Sequence, residues 1–355
     1  MGFDFFYGYN CQRQAHTYYP LHLYKNRNRV ALANDTVAPN TKLPKGADPN
    51  NPESYAAYTL KDYSPDLMFN EITGFVKENK NNPFFLYWAT PIPHVALQAD
   101  NKWLEHYIDK FGVEESYLGQ KGYFPHQNPR AAYAAMVSYL DENIGKLVQQ
   151  LKDEGIYDNT LIVFTSDNGP SYAGGADPAF FESAVPFEGD YGRGKGFLYE
   201  GGIRVPMIAS WPGKIEPSSQ TNHISAHYDM LATFGDIAGY EVPVNSDGIS
   251  FLPALLAEDG QVEHEFMYWE FPSYGGQVAI RMGDWKVVRQ NLKDDKKEAT
   301  IELYNLKEDP IESINVASAH PEILEKAAKI FEQERTIPEL EHFKIPLISD
   351  GLLNE

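Results

Sequence analysis

An apolar, largely β-branched run, Leu161-Ile-Val-Phe-Thr165, stops abruptly at Ser166-Asp-Asn-Gly-Pro170. Such a run reads as a buried strand. In open α/β folds, ligands bind where strands leave the sheet at their carboxyl ends. Asp167 offers a carboxylate oxygen there and Asn168 a carbonyl oxygen, both hard ligands suited to calcium or magnesium. Gly169 allows a sharp backbone turn beside them. Asn-Gly is also ordinary turn chemistry, so these residues alone leave a metal site and a plain turn both open.

The surrounding pattern alternates helix and strand. Residues 129–154 carry apolar side chains at Tyr133, Met136, Val137, Leu140, Ile144, Leu147, Val148 and Leu151, one stripe at helical spacing. Gly155 ends that helix and Asp158-Asn159 turn into the 161–165 strand. Ser64 and Pro65 open another helix running to about residue 79. Pro83 introduces a buried strand at 84–89, and a short helix is expected at 102–111. Further on, 203–211 reads as a strand and 226–238 as a helix. The first 63 residues read as loops with one short strand near 18–23. From about residue 263 the pattern changes to short strands at 266–270, 277–281, 285–289 and 301–305, followed by a helix at 321–335. The expectation is an α/β fold, with a mainly parallel sheet sandwiched by helices over 1–262, and a small antiparallel sheet with one helix over 263–355.

With 30 Lys and Arg against 50 Asp and Glu, the chain has a formal charge of −20. That excludes the basic footprint of nonspecific nucleic-acid binding, and an anionic substrate would need a locally positive pocket. A single cysteine excludes an internal disulfide. No run of 18 apolar residues exists to span a membrane, and no signal peptide is visible.

Three segments then bear on function: Phe84-Phe-Leu-Tyr-Trp-Ala-Thr-Pro-Ile-Pro-His94, the Asp167-Asn-Gly turn, and Gly194-Lys-Gly-Phe-Leu-Tyr-Glu-Gly-Gly-Ile-Arg-Val-Pro206. In this order and at these separations they resemble the type I sulfatases of the alkaline phosphatase superfamily. The opening Gly2-Phe-Asp-Phe-Phe-Tyr-Gly-Tyr-Asn-Cys-Gln-Arg-Gln-Ala-His16 and Ala279-Ile-Arg-Met-Gly-Asp-Trp-Lys286 are similar to arylsulfatase-like proteins as well. The resemblance covers nearly the whole chain, but not the family's N-terminal portion. That portion carries a first pair of acidic metal ligands, a Gly-Lys-x-His segment, and a Cys- or Ser-x-Pro-x-Arg motif whose first residue becomes formylglycine, the nucleophile. Cys11, in Cys-Gln-Arg-Gln-Ala, lacks the required Pro and reads as an ordinary free thiol.

The resemblance implies roles for specific residues. Sulfate-ester hydrolysis needs a nucleophile, positive charge on the sulfate oxygens, and a proton for the leaving oxygen. Asp167 and Asn168 match metal ligands, with Ca2+ or Mg2+ as the expected ion. Lys195 matches the sulfate-binding lysine, and His94 the histidine that contacts sulfate and the leaving oxygen. By itself each would pass for a solvated lysine or a loop histidine bonded to backbone. Arg193 and Glu270 are candidate substrate contacts, the latter equally a structural ion-pair member. Glu200, Gly201, Gly202 and Arg204 are expected to be structural, Arg204 paired with a carboxylate. His227-Tyr-Asp229 has the spacing of a metal pair, but its place at a helix start favours capping and packing.

The expected function is hydrolysis of sulfate esters, aryl or carbohydrate, by formylglycine and a divalent metal, with a sulfated small molecule or carbohydrate as partner. This chain supplies no nucleophile and is expected to be inactive alone. The unpaired edges left by missing central strands favour association, either as a homo-oligomer or with a separate chain supplying the missing portion. Export to the periplasm or secretion is common in the family. Two other readings compete. One is a phosphodiesterase or phosphonate hydrolase of the same superfamily, against which Lys195 and His94 weigh; the other is a noncatalytic binding chain, against which the intact site residues weigh.

Overall fold

The computed structural model describes residues 2–99, 102–240 and 245–349. The chain forms two compact units, one of Met1–Thr160 with Ser171–Asp177, the other of Leu161–Pro170 with Pro178–Glu355.

In the first unit, β1 (Tyr7–Gly8), β2 (His22–Lys25) and β3 (Asn28–Ala31) form an antiparallel sheet in that order. The region expected to hold one short strand thus holds a hairpin. Its tight turn uses Asn26 at φ 54°, a left-handed conformation that Asn tolerates. The Asn26 side-chain oxygen also accepts the Phe6 N–H at 2.8 Å, fixing β1 beside the turn. Three helices follow: α1 (Ser64–Asn79), α2 (Lys102–Phe111) and α3 (Pro129–Asp153). Pro65 sits in the first turn of α1, where no N–H is needed. Ser64 is the first helical residue; its hydroxyl donates to Tyr18 O at 2.9 Å instead of capping.

The core of this unit joins Met136, Ala132, Ala135 and Leu140 of α3 to Tyr18, Tyr63, Ile92 and Leu97. The buried side of α3 differs from the expected stripe. Val137 is 43% exposed, whereas Ala131, Ala132, Ala134 and Ala135 are buried. Small residues let the helix approach its neighbours closely, so alanines rather than the larger apolar side chains mark that contact face.

Residues 84–89 have no regular secondary structure, and burial alternates along them with Phe85 and Tyr87 exposed. No ladder partner exists for them among the described residues, so the strand expected there does not form as a hydrogen-bonded element.

The second unit begins with β4 (Ile162–Thr165), followed by α4 (Glu200–Ile203) and β5 (Met207–Ser210). β4 pairs with β5 antiparallel, Val163 opposite Ala209 and Phe164 opposite Ile208. Here too the outcome departs from expectation. Every ladder among the described residues is antiparallel, because a parallel pair needs a crossover neighbour and the strands present pair otherwise. Among the described residues β4 has this single neighbour, and the two-stranded pair is not fully buried: Phe164 on β4 and Ile208 on β5 are 40% and 63% exposed. Two further helices, α5 (Asp229–Ala238) and α6 (Leu252–Leu256), precede the C-terminal sheet. Gly239 ends α5 with φ 68°, as a left-handed C-terminal cap.

The last part agrees closely with the pattern read from sequence. Strands β6 (Met267–Phe271), β7 (Gln277–Met282), β8 (Trp285–Gln290) and β9 (Thr300–Asn305) form an antiparallel meander in order. Next come α7 (Pro321–Gln333) and α8 (Pro346–Ser349). Val278, Ile280, Val287 and Leu303 pack with Ala327 and Phe331 of α7. This module lies in the second unit together with β4, β5 and residues 166–170 and 178–206 between them.

One electrostatic contact in the first unit is directly testable. Glu142 on α3 accepts from Lys102 Nζ at 3.0 Å and Trp103 Nε1 at 2.7 Å, both on α2. Hydrogen bonds from Lys102, Trp103 and Lys146 pull its carboxyl down to about 2. A depressed folded-state value stabilises above the unfolded carboxyl range, and that stabilisation fades as pH falls toward the folded value. Glu142→Gln should therefore cost about 0.5–1 kcal/mol at pH 7, the scale of a partly exposed charge network. The difference from the parent should shrink as pH falls from about 4.5 toward 2, followed by urea unfolding at several pH values.

Candidate active site

The turn after β4 is held by its own side chains. Ser166 Oγ donates to Asn168 O at 3.0 Å. Asn168 Nδ2 donates to Gly169 O at 2.9 Å, which leaves Oδ1 as the acceptor of that side chain. The Asp167 side chain belongs to an exposed residue. His227 Nε2 lies 2.8 Å from the Ser166 carbonyl; a carbonyl only accepts, so this nitrogen carries the proton. His227 thus braces the residue before Asp167.

The glycine motif packs directly on this turn. Gly169 N–H donates to Gly202 O at 2.9 Å. A β-carbon on Gly169 would stand 1.9 Å from Gly201 O, so only glycine fits without displacement. Lys195 N–H donates to Pro170 O at 3.3 Å, and Gly194 N–H to Asp190 O at 2.8 Å. Two segments that lie about two dozen residues apart are therefore one backbone assembly. It places Lys195 where burial lowers its ammonium pKa, while the Asp167 carboxylate acts in the opposite sense. Asp167, Asn168 and Lys195 come together in the second unit.

His94 belongs to the first unit. Its N–H donates to Pro91 O at 2.7 Å, and its carbonyl accepts the Tyr18 hydroxyl at 2.7 Å. Ring Nδ1 is in close contact with the Val95 carbonyl. Because that partner only accepts, Nδ1 holds the proton and the neutral ring is the Nδ1–H tautomer. His16 stacks on the ring at 5.9 Å and 11°, and Tyr123 meets it edge-on at 5.8 Å. These contacts fix ring orientation from three directions.

The other two candidates have structural partners. Arg193 lies over the Tyr199 ring at 3.9 Å and donates from Nη1 to Glu312 O at 3.0 Å. Glu270 is gripped by Arg335, with Nε at 2.9 Å and Nη2 at 3.0 Å, and accepts the Tyr268 hydroxyl at 2.8 Å. Arg204 pairs with Glu200 at 3.4 Å. Asp229 accepts Ala226 N–H at 2.7 Å and Ile249 N–H at 2.9 Å, with His264 at 2.8 Å. It thus packs rather than caps: it is the first residue of α5, whose N-cap makes no side-chain bond, and its carboxylate is filled by amides outside the helix. Cys11 is exposed.

Asp167 and Asn168 fit a hard divalent ion in kind: one carboxylate, and one amide oxygen kept as an acceptor by the Nδ2 bond. Two such donors are fewer than either ion takes. Among the described residues, no group of three or more His, Cys, Asp or Glu side chains could hold an ion. Sequence reading missed the roles of His16, Tyr123 and the brace from His227. His16 lies in the Gln14-Ala-His16 segment, yet nothing in spacing ties it to a ring 78 positions onward. The interval from His227 to Asp229 suggests a local pair, whereas the partner of His227 is 61 residues away.

Residues 1–240 match the family described as Sulfatase, and residues 189–336 that described as N-sulphoglucosamine sulphohydrolase, C-terminal. Among known proteins, N-acetylgalactosamine-6-O-sulfatase of Bacteroides thetaiotaomicron is 28% identical over 288 residues, covering 76% of this chain and 51% of that protein. Human arylsulfatase A is 29% identical over 273 residues, covering 70% of the chain and 48% of its own length. The chain thus spans about half the length of these relatives. The crystal structure of Ps i-CgsB superposes with a TM-score of 0.64 at 28% identity, covering 88% of this chain and 57% of that one. The same protein has been solved in complex with k-i-k-neocarrahexaose. These solved relatives bear out the α/β class expected from sequence.

The close approach at Gly169 yields a test. Gly169→Ala must push the turn off Gly201, an overpacking cost of about 1–3 kcal/mol. Chemical denaturation should show that loss, whereas Gly74→Ala, with nothing within 4 Å of its added β-carbon, should be neutral or stabilising.

Proposed function

Because this chain belongs to the sulfatase family, we propose that it supplies the sulfate-gripping and half of the metal-binding apparatus of an enzyme that hydrolyses sulfate esters of carbohydrates. The observation that carries this reading is the packed assembly of the Asp167 turn and the Lys195 loop, held by the Gly169–Gly202 hydrogen bond. It brings a cation and two oxygen donors together in a chain whose net charge is −20. A carbohydrate ester is suggested by two of the relatives: one is named N-acetylgalactosamine-6-O-sulfatase, and another was solved in complex with k-i-k-neocarrahexaose.

In the overall reaction water is consumed, the sulfur–ester oxygen bond breaks, and an alcohol and hydrogen sulfate are released. Lys195 is assigned to the sulfate oxygens. Its half-buried ammonium sheds little water on meeting an anion, and the Asp167 charge supports its protonated form. Asp167 and Asn168 would hold calcium or magnesium, which when bound polarises the sulfate group and fixes its orientation. His94 is assigned to the leaving oxygen. With Nδ1 committed to the Val95 carbonyl, the ring in its protonated form offers the Nε2 proton as the electron pair departs with the ester oxygen. The attacking group is assigned to a formylglycine outside these 355 residues, since the chain contains no Cys- or Ser-x-Pro-x-Arg motif.

Calorimetric titration with a 6-sulfated N-acetylhexosamine in calcium should detect binding that the unsulfated sugar lacks. Lys195→Ala should weaken it at least about tenfold, the loss of one charge-assisted contact of roughly 1.4 kcal/mol. Equal binding of the two sugars would overturn the assignment. Aryl sulfate should not be turned over by this chain alone, and metal-dependent turnover would refute the placement of the nucleophile elsewhere.

A further inference from the structure

The segment that carries Lys195 is gripped by the C-terminal antiparallel sheet at three successive points. Gln277 on β7, fully buried, donates from Nε2 to Gly196 O at 2.9 Å and accepts from Leu198 N at 3.4 Å. The Tyr199 hydroxyl donates to Glu302 on β9 at 2.6 Å. Then, at Glu200, comes a buried charge cluster. Lys286 on β8 is 0% exposed, and its Nζ donates to Glu200 Oε1 at 2.8 Å. It also lies 2.9 Å from Glu312 Oε1, in an ion-pair contact without hydrogen-bond geometry. Glu312 closes the ring: Oε2 accepts Glu200 N–H at 2.7 Å, and its carbonyl accepts Arg193 Nη1 at 3.0 Å.

Glu200 opens the turn whose next two residues form the surface under Gly169. Gly201 O blocks any β-carbon there, and Gly202 O accepts the Gly169 N–H. Removing three charges from water is costly, and apolar residues of similar size often serve stability as well. What such a cluster does supply is a fixed direction for each hydrogen bond.

We propose that Lys286 is a positioning residue for the anion and metal site. Through Glu200 and Glu312 it sets the Glu200–Gly202 backbone, and that backbone in turn sets the Asp167–Gly169 and Gly194–Lys195 turns. The C-terminal sheet is thus the template on which the sulfate-gripping loop is held. This rests on the site assignment made above, but its test needs neither metal nor turnover, so the two can fail separately.

Amide hydrogen exchange on the whole chain reads the order of each turn directly. Lys286→Met combined with Glu312→Gln leaves the remaining carboxylate facing a neutral, similarly shaped neighbour. In this variant the amides of Gly169, Gly194 and Lys195 should lose at least tenfold in protection, while those of β7 and β8 keep theirs. Lys286→Arg, which retains charge and donors, should restore protection to within a few-fold of the parent. Unchanged protection at Gly169 would overturn the proposal. So would an equal loss across β7 and β8, because the cluster would then serve general stability. Should the double variant not fold, Glu312→Gln alone gives the same comparison: a several-fold loss at Gly169 with the sheet intact supports the proposal, and no difference refutes it.

Discussion

A single peptide hydrogen bond, from Gly169 N–H to Gly202 O at 2.9 Å, organises the rest of the candidate site. It is possible only because Gly169 carries no β-carbon where its backbone meets Gly201. The turn after β4 supplies oxygen donors and the later loop supplies an ammonium. Neither segment has regular structure at the point of contact beyond the single turn of α4. Their relative placement is set by backbone polar groups that must find partners when buried, not by side-chain packing that could slide.

Around that contact, charge is arranged against the sign of the whole molecule. The chain carries an excess of 20 negative charges, yet the groups packed behind the glycine motif include Lys286, Arg281 and Arg204 facing Glu200. Burial pulls the Lys195 pKa down and the neighbouring Asp167 opposes it. In the proposed role, sulfate and a divalent ion would complete this balance.

His94 illustrates a different kind of preparation. Its backbone is bonded at both N–H and carbonyl, its ring is stacked on His16, and its Nδ1 faces a carbonyl. The tautomer follows from the acceptor-only character of that carbonyl. A histidine with its rotation and tautomer both fixed loses less entropy on meeting a substrate than a freely turning one.

Local chemistry made much of this protein legible from its residues. Pro65 and Pro129 mark two helix starts, Gly155 follows the end of one, and the pattern from residue 266 to 305 marks four strands that pair as a meander. The motif residues Asp167, Asn168 and Lys195 were legible as a set through their order. The strand expected at 84–89 finds no ladder partner among the described residues, and the pairing of β4 with β5 was not legible, because partners are distant in sequence. Sequence alone took Val137 for a core residue where alanines make the close helix contact, since closeness of approach is a property of the neighbours. It could not see that Arg193 lies over Tyr199, that Glu270 is held by Arg335, or that Lys286 is buried between two glutamates. Side-chain chemistry is written residue by residue, but whether a charge meets solvent, a substrate or a buried counter-ion depends on contacts made across 60 to 120 positions, and only the folded chain decides those.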